Sequence, residues 1–149
     1  MVRPGESLIA ALDLSPHPEG GWYRRTWVAD SDAVTRPVGS AIFYLLLEGE
    51  VSAPHRIDAT EVWHFYAGGP LELTREWPDG TGDVVIMGPD VGAGQIPQVV
   101  VPPGVWQSAR PLGAYSLMGA TVSPAFTFEG FELRDGAYDA PSAVEEADT

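Results

Sequence analysis

Gly49-Glu-Val-Ser-Ala-Pro-His55-Arg-Ile57-Asp-Ala-Thr-Glu61-Val-Trp63-His64-Phe-Tyr-Ala-Gly68 is the stretch on which the fold turns. Glycines close it at both ends, and two histidines and a carboxylate stand between them in apolar segments of strand length. Five residues separate Gly49 from His55, three separate Ile57 from Glu61, and six separate Glu61 from Gly68. Residues two apart on a strand share a face, so His55 and Ile57 point the same way. On the next segment Glu61, Trp63 and Phe65 form one face, and Val62, His64 and Tyr66 form the other. Glu61 and His64 are therefore expected on opposite faces unless a bulge intervenes. The turn through Asp58-Ala-Thr60 does not carry parity from His55 to Glu61.

Outward from this stretch, the same pattern of short apolar segments bounded by Gly or Pro recurs. Strands are expected near residues 22–28, 41–47, 52–57, 61–67, 71–77, 83–87, 98–101, 105–109, 115–122 and 131–133, after one short helix over residues 6–12. Trp77-Pro-Asp-Gly80 reads as a hairpin turn, because Pro78 presets φ and Gly80 supplies freedom. Ser15-Pro-His-Pro-Glu-Gly-Gly21 reads as a rigid loop, and His17 between its prolines as a loop residue. Many short punctuated strands argue for an all-β barrel or double sheet.

The chain of 149 residues is the length of one domain, expected over residues 1–138. Residues 139–149 carry a single large apolar side chain, Val144, and are expected to be an acidic disordered tail. With 17 Gly and 14 Pro, long helices are disfavoured. The 21 acidic and 8 basic side chains give a formal charge of −13, which excludes nucleic acid and anionic membranes as natural partners. There is no cysteine, hence no disulfide, thiolate nucleophile or thiolate metal site. The N-terminal residues are unlike a secretory signal, and no apolar run approaches the ~20 residues of a membrane helix. A cytoplasmic protein is the expectation.

The spacing from Gly49 to Gly68 resembles the first motif of the cupin superfamily, and Val101-Pro-Pro-Gly-Val-Trp-Gln107 resembles the second. More narrowly, the chain resembles the small, functionally uncharacterised single-domain cupins. Their hallmark segments look like His17-Pro-Glu-Gly-Gly-Trp-Tyr23, His55 to Phe65, Val101 to Gln107 and Phe126-Thr-Phe-Glu-Gly-Phe-Glu-Leu133. The resemblance implies a jelly-roll β-barrel, usually a homodimer, related in shape to deoxysugar epimerases, germins and storage proteins. It does not imply one chemistry. In the motifs Ile57 holds the place of a ligating histidine, and Gln107 holds that of another. The implied metal set thus reduces to His55, Glu61 and Gln107, with zinc, nickel or iron as candidates. Zinc and iron sites usually take at least three firm ligands. A metal-free pocket is the expectation.

His55 and Glu61 are the acid–base candidates, because histidine exchanges protons near neutral pH and burial tunes a carboxyl toward it. His64 is a third catalytic candidate if a bulge turns it inward. Trp63, Gln107, Arg25 and Arg56 are the candidate ligand contacts. The leading expectation is a small-molecule enzyme, isomerase-, epimerase- or lyase-like, acting on a sugar or polar metabolite. A metal-dependent dioxygenase or isomerase and a non-enzymatic binding or storage protein are the alternatives. The aromatic strand from Trp22 to Trp27 is the expected dimer contact.

Overall fold

The computed structural model describes residues 2–135. The expected domain end at residue 138 and the tail over residues 139–149 lie outside the described residues. In chain order come α1 (Ser7–Ala11), β1 (Ser15–Pro16), β2 (Trp22–Val28), β3 (Ser40–Leu47), β4 (Ser52–Ile57), β5 (Thr60–Gly68), β6 (Leu71–Glu76), β7 (Gly82–Met87), β8 (Gln98–Val101), β9 (Trp106–Pro111), β10 (Tyr115–Ser123) and β11 (Phe131–Leu133). Ten of these strands match the ten read from sequence, and β1 is the addition. The strands make two antiparallel sheets, one in the order β1-β2-β3-β10-β5-β8 and the other β11-β4-β9-β6-β7. Ladders run within each sheet, so the jelly roll is a double sheet and not one continuous hydrogen-bonded barrel. Among the described residues no helix is long and apolar enough to cross a membrane.

Alternation places the core. Along β5, Glu61 and Trp63 are buried while Val62 and His64 are half-buried on the outer face. A bulge does occur in β5, but at Tyr66, where the partners of Leu117 and Met118 jump from Ala67 to Phe65. It lies beyond His64 and leaves the parity between Glu61 and His64 intact. Between the sheets, Tyr44, Leu46, Trp63, Leu71, Leu73 and Met118 belong to one apolar cluster. Ile57, Ala59, Val122 and Phe131 form a second near the other end. Each fully buried large side chain of this kind contributes about 1.5–3 kcal/mol. On the outer face of the larger sheet, Leu8, Ile9 and Leu12 of the N-terminal segment pack with Leu14 against Leu45 and Leu47.

Strand β4 carries the irregularity that matters for the site. Its partners on β9 are Ala109 for Ser52 and Gln107 for His55, so three steps on β4 face two on β9. Pro54 lies in the extra step, where a missing N–H breaks no ladder bond. Ser52 and His55, an odd number apart, consequently both turn inward, each only 1 % exposed.

Candidate functional site

The second apolar cluster borders a nearly closed cavity of about 30 Å³ between the sheets, lined among others by His17, Glu19, Arg25, His55, Ile57 and Glu61. That volume holds roughly one or two waters. β4 supplies His55, whose Nδ1 donates to the carbonyl of Ala53 at 2.7 Å. With its proton so engaged, the Nε2 lone pair is the free end, and it approaches Glu19 Oε2 at 3.6 Å. Burial lowers the pKa of His55, opposed by the charge of Glu61 and the bond to Ala53. The ring is a neutral acceptor, and its approach to Glu19 is a polar contact rather than an ion pair.

Glu61 reaches the cavity from β5. Its Oε1 accepts from Gln107 Nε2 at 2.8 Å, and Gln107 Oε1 accepts in turn from the Trp63 indole N–H at 2.7 Å. The indole has no acceptor, so this chain fixes the amide orientation and sets Gln107 as a donor toward Glu61. Burial pushes Glu61 up to about 7, helped by repulsion from Glu19 and opposed by His55 and the Gln107 bond.

The His17–Gly21 turn brings in the remaining groups. His17 N–H donates to the Gly21 carbonyl at 3.0 Å, and Ala53 N–H on β4 donates to the Glu19 carbonyl at 2.7 Å, docking the turn on the strand. The Glu19 carboxyl accepts from the Ser52 hydroxyl. Its Oε1 lies 3.3 Å from His17 Nδ1. That nitrogen already accepts the Glu19 N–H at 3.1 Å, so His17 carries its proton on Nε2. Burial raises Glu19 to about 7, with the hydrogen bond from Ser52 and the neighbouring Tyr44 hydroxyl pulling the other way. Burial, then the charge of His55, drops His17 to about 3. His17 is therefore neutral and packs as an aromatic ring, edge-on to Tyr23 at 4.5 Å between centroids. Two buried carboxyls poised near neutrality beside two neutral imidazoles can accept, hold and donate protons without any charged partner being added.

Of the residues singled out from sequence, His55 and Glu61 meet in the cavity and Arg25 lines it. Trp63 and Gln107 stand behind Glu61 as its hydrogen-bonded support instead of lining the wall. His64 does not join them. It sits on the outer face with Nε2 3.2 Å from Thr121 Oγ1, stacked near Tyr66. Arg56 also points away, bonded to Glu132 at 2.7 Å and lying 4.5 Å from the Trp106 ring. His17 is a loop residue, as read, but a buried one at 8 % exposure that lines the cavity. Sequence reasoning left Glu19 unassigned. The signal was present in Pro-His-Pro-Glu-Gly-Gly, where two prolines and two glycines fix one backbone shape, and fixed loops carry function more often than free ones.

The donor set does not fit the metal that the resemblance implies. Ile57 turns its apolar side chain toward the cavity in the ligating place. Gln107 has its oxygen taken by Trp63 and its nitrogen by Glu61. His55 and Glu61 remain, short of the usual three firm ligands. Among the described residues no three His, Asp or Glu side chains group as a cation would require.

A protein from Shewanella oneidensis, solved by X-ray crystallography, is 38% identical, with a TM-score of 0.83, covering 90% of this chain and 85% of that one. A hypothetical protein from Leishmania major is 28% identical, with a TM-score of 0.81, over 87% of this chain and 86% of that one. The oxalate decarboxylase of Bacillus subtilis, described with Mn(II) centres, shares the fold at 14% identity and a TM-score of 0.62, over 82% of this chain and 30% of that one. No curated protein matches the sequence. The sequence profile described as Cupin superfamily (DUF985) matches residues 6–134, and with the jelly roll and both motifs in place the chain belongs to that family.

Proposed function

We propose that the protein is a small-molecule enzyme of the proton-transfer class, with Glu61 and His55 as its acid–base groups. The observation that carries this is Glu61, a carboxyl poised at about 7 in an enclosed cavity and held there by Gln107. A group whose pKa matches the working pH both gives and takes a proton readily, and neutral His55 offers Nε2 as an acceptor beside it. Isomerase-, epimerase- or lyase-like chemistry on a sugar or polar metabolite fits such a pair. The cavity limits how the substrate sits. Ligand pockets typically run to ~300–1,000 Å³. A space of about 30 Å³ admits only the reacting group, so a larger substrate requires lining side chains to move aside.

The same small volume supports the competing reading, a non-enzymatic cupin in which these groups only hold the core together. Deuterium wash-in separates the two. The protein is incubated in D₂O with a panel of α-hydroxy acids, α-keto acids, aldoses and ketoses, and loss of the carbon-bound proton is followed by ¹H NMR. Catalysed exchange with at least one member, abolished by Glu61→Gln in a folded protein, is expected. Absence of exchange across the whole panel favours the non-enzymatic reading.

A further inference from the structure

We propose that Glu19 is the second acid–base group of the cavity, so that the site works on its substrate with two carboxyl groups, one giving a proton while the other takes one. This rests on the proton-transfer reading above and narrows its reaction class.

The first support is position. Glu19 lines the same cavity as Glu61, its side chain is 10 % exposed, and its Oε2 stands 3.6 Å from the free Nε2 of His55. The second is the turn that holds it. Gly20 has φ of 108°, and a Cβ there would meet the Val51 carbonyl oxygen at 2.1 Å. Gly21 has φ of 75°, and its Cβ would fall 2.8 Å from the Leu45 carbonyl oxygen. The Tyr44 hydroxyl donates to the Gly20 carbonyl at 2.5 Å. Only glycines allow the chain to pass so close, and the result is a carboxyl driven inward where a loop glutamate would otherwise stay in water. A purely structural partner for Ser52 needs only an acceptor oxygen, which glutamine supplies without the expense of a buried charge. The third is repulsion, the charge of Glu19 being among the causes that raise Glu61. The groups acting on Glu19 are Tyr44 from β3, Ser52 and His55 from β4 and His17 of its own turn; those acting on Glu61 are Gln107 from β9, His55 and Glu19 itself, and Arg25 from β2 lines the space. Two carboxyls that oppose each other's ionisation favour the state with one proton between them.

That state suits a carbon acid, a substrate bearing hydrogen on a carbon next to a carbonyl or carboxyl group. The ionised carboxylate takes the proton, and the C–H electron pair moves onto the neighbouring carbonyl oxygen as an enolate. The protonated carboxyl then delivers its proton to the opposite face of the same carbon, giving the epimer, or to the enolate oxygen, giving the enol tautomer. The pair finishes with donor and acceptor exchanged, no atom or electron is lost, and no oxidant is needed.

The titration of the two side chains tests this without a substrate. In uniformly ¹³C-labelled full-length protein, the carboxyl carbons of Glu19 and Glu61 are assigned through bonds and followed from about pH 4 to about pH 9. Both are expected to titrate near neutrality, each curve showing the two separated steps of a coupled pair. Glu61→Gln should lower the Glu19 midpoint by about one pH unit, and Glu19→Gln should lower that of Glu61 similarly. If either variant fails to fold, the two-step shape in the wild type still decides. In the wash-in assay Glu19→Gln should slow exchange at least ~100-fold, with part of it restored in Glu19→Asp. A Glu19 carbon that titrates in the ordinary carboxylate range, or exchange at the wild-type rate in Glu19→Gln, overturns the pair and leaves Glu61 and His55 standing. An ordinary titration of Glu61 overturns both readings together.

Discussion

Replacing Glu61 with glutamine should make the protein more stable at alkaline pH and leave it nearly unchanged in mild acid. Folding raises this carboxyl from an ordinary 4.5 to about 7, so between those values the native state holds a proton that the unfolded chain has released. Stability then falls as pH rises through the window, and the loss is complete above the folded value. At about 1.36 kcal/mol per pH unit between 4.5 and about 7, the full penalty is about 3 kcal/mol, an upper figure because Glu19 shares it. Glutamine presents an acceptor oxygen to Gln107 Nε2 but cannot ionise, so it escapes the penalty. Urea unfolding of wild type and Glu61→Gln at about pH 5 and about pH 8 gives the difference directly, expected below about 1 kcal/mol at the first and up to about 3 kcal/mol in favour of the variant at the second. In Tm that is roughly 6–12 °C for a domain of this size. Neutral His17 contributes the opposite slope, stability lost as pH falls from the ordinary 6.5 toward about 3, but it does so in both proteins and cancels in the comparison. A variant destabilised equally at both pH values would show that Glu61 is an ordinary buried acceptor and that its protonation is not under strain.

Three further outcomes follow from particular contacts. Gln107→Ala removes the acceptor of the buried Trp63 N–H and the donor to Glu61 together, and should cost about 2–4 kcal/mol in denaturant unfolding; a change below about 1 kcal/mol would mean water replaces both bonds. Ile57→His restores a histidine on the face it shares with His55, and isothermal titration with zinc or nickel should register a gain in affinity; no gain would mean that His55, residue 57 and Glu61 do not converge. On the outer face of the larger sheet, Trp27, Tyr66 and Val100 are exposed, with Phe43 between Tyr66 and the Arg24 guanidinium, in a chain of net charge −13, so two copies are expected to meet on this aromatic region, which carries no carboxylate among these residues; light scattering should show a dimer that Tyr66→Glu converts to a monomer, and a wild-type monomer at micromolar concentration removes the idea.

The fold was legible because its two signals are local. Period-two alternation set Glu61 and Trp63 on one face and His64 on the other without saying which face is the interior, and the structure buries the first pair; the same parity turns Arg56 away from buried His55, so its reading as a ligand contact fails. The hairpin turn formed as written, with Gly80 N–H donating to the Trp77 carbonyl at 2.9 Å. What the sequence concealed depends on contacts distant along the chain. Ser52 and His55 share the interior only because Pro54 spends a residue in a bulge, and the position of a bulge is set by the partner strand. Glu19 is buried because its turn docks on β4, which lies more than thirty residues later. A proline-flanked histidine in a glycine-rich loop reads as solvated until the aromatic side chains around it, Tyr23, Phe126 and Phe131, are placed by the fold.

The two departures at ligand positions of the cupin motifs, Ile57 and Gln107, act in one direction. In a metal-binding cupin of the implied pattern, histidines at positions 57 and 107 would help hold a cation, and the cation would keep the motif carboxylate ionised at low pKa. Ile57 and Gln107 withdraw both ligands, leaving Glu61 buried with an amide donor and a neutral imidazole. Burial is the largest influence on a carboxyl in that position, and it raises Glu61 to about 7. The N-terminal turn then adds a second carboxyl to the same space, which raises the first one further. Substitutions that remove two ligands of the implied metal set thereby leave a small enclosed cavity lined by two buried carboxyls, both raised by burial toward neutrality.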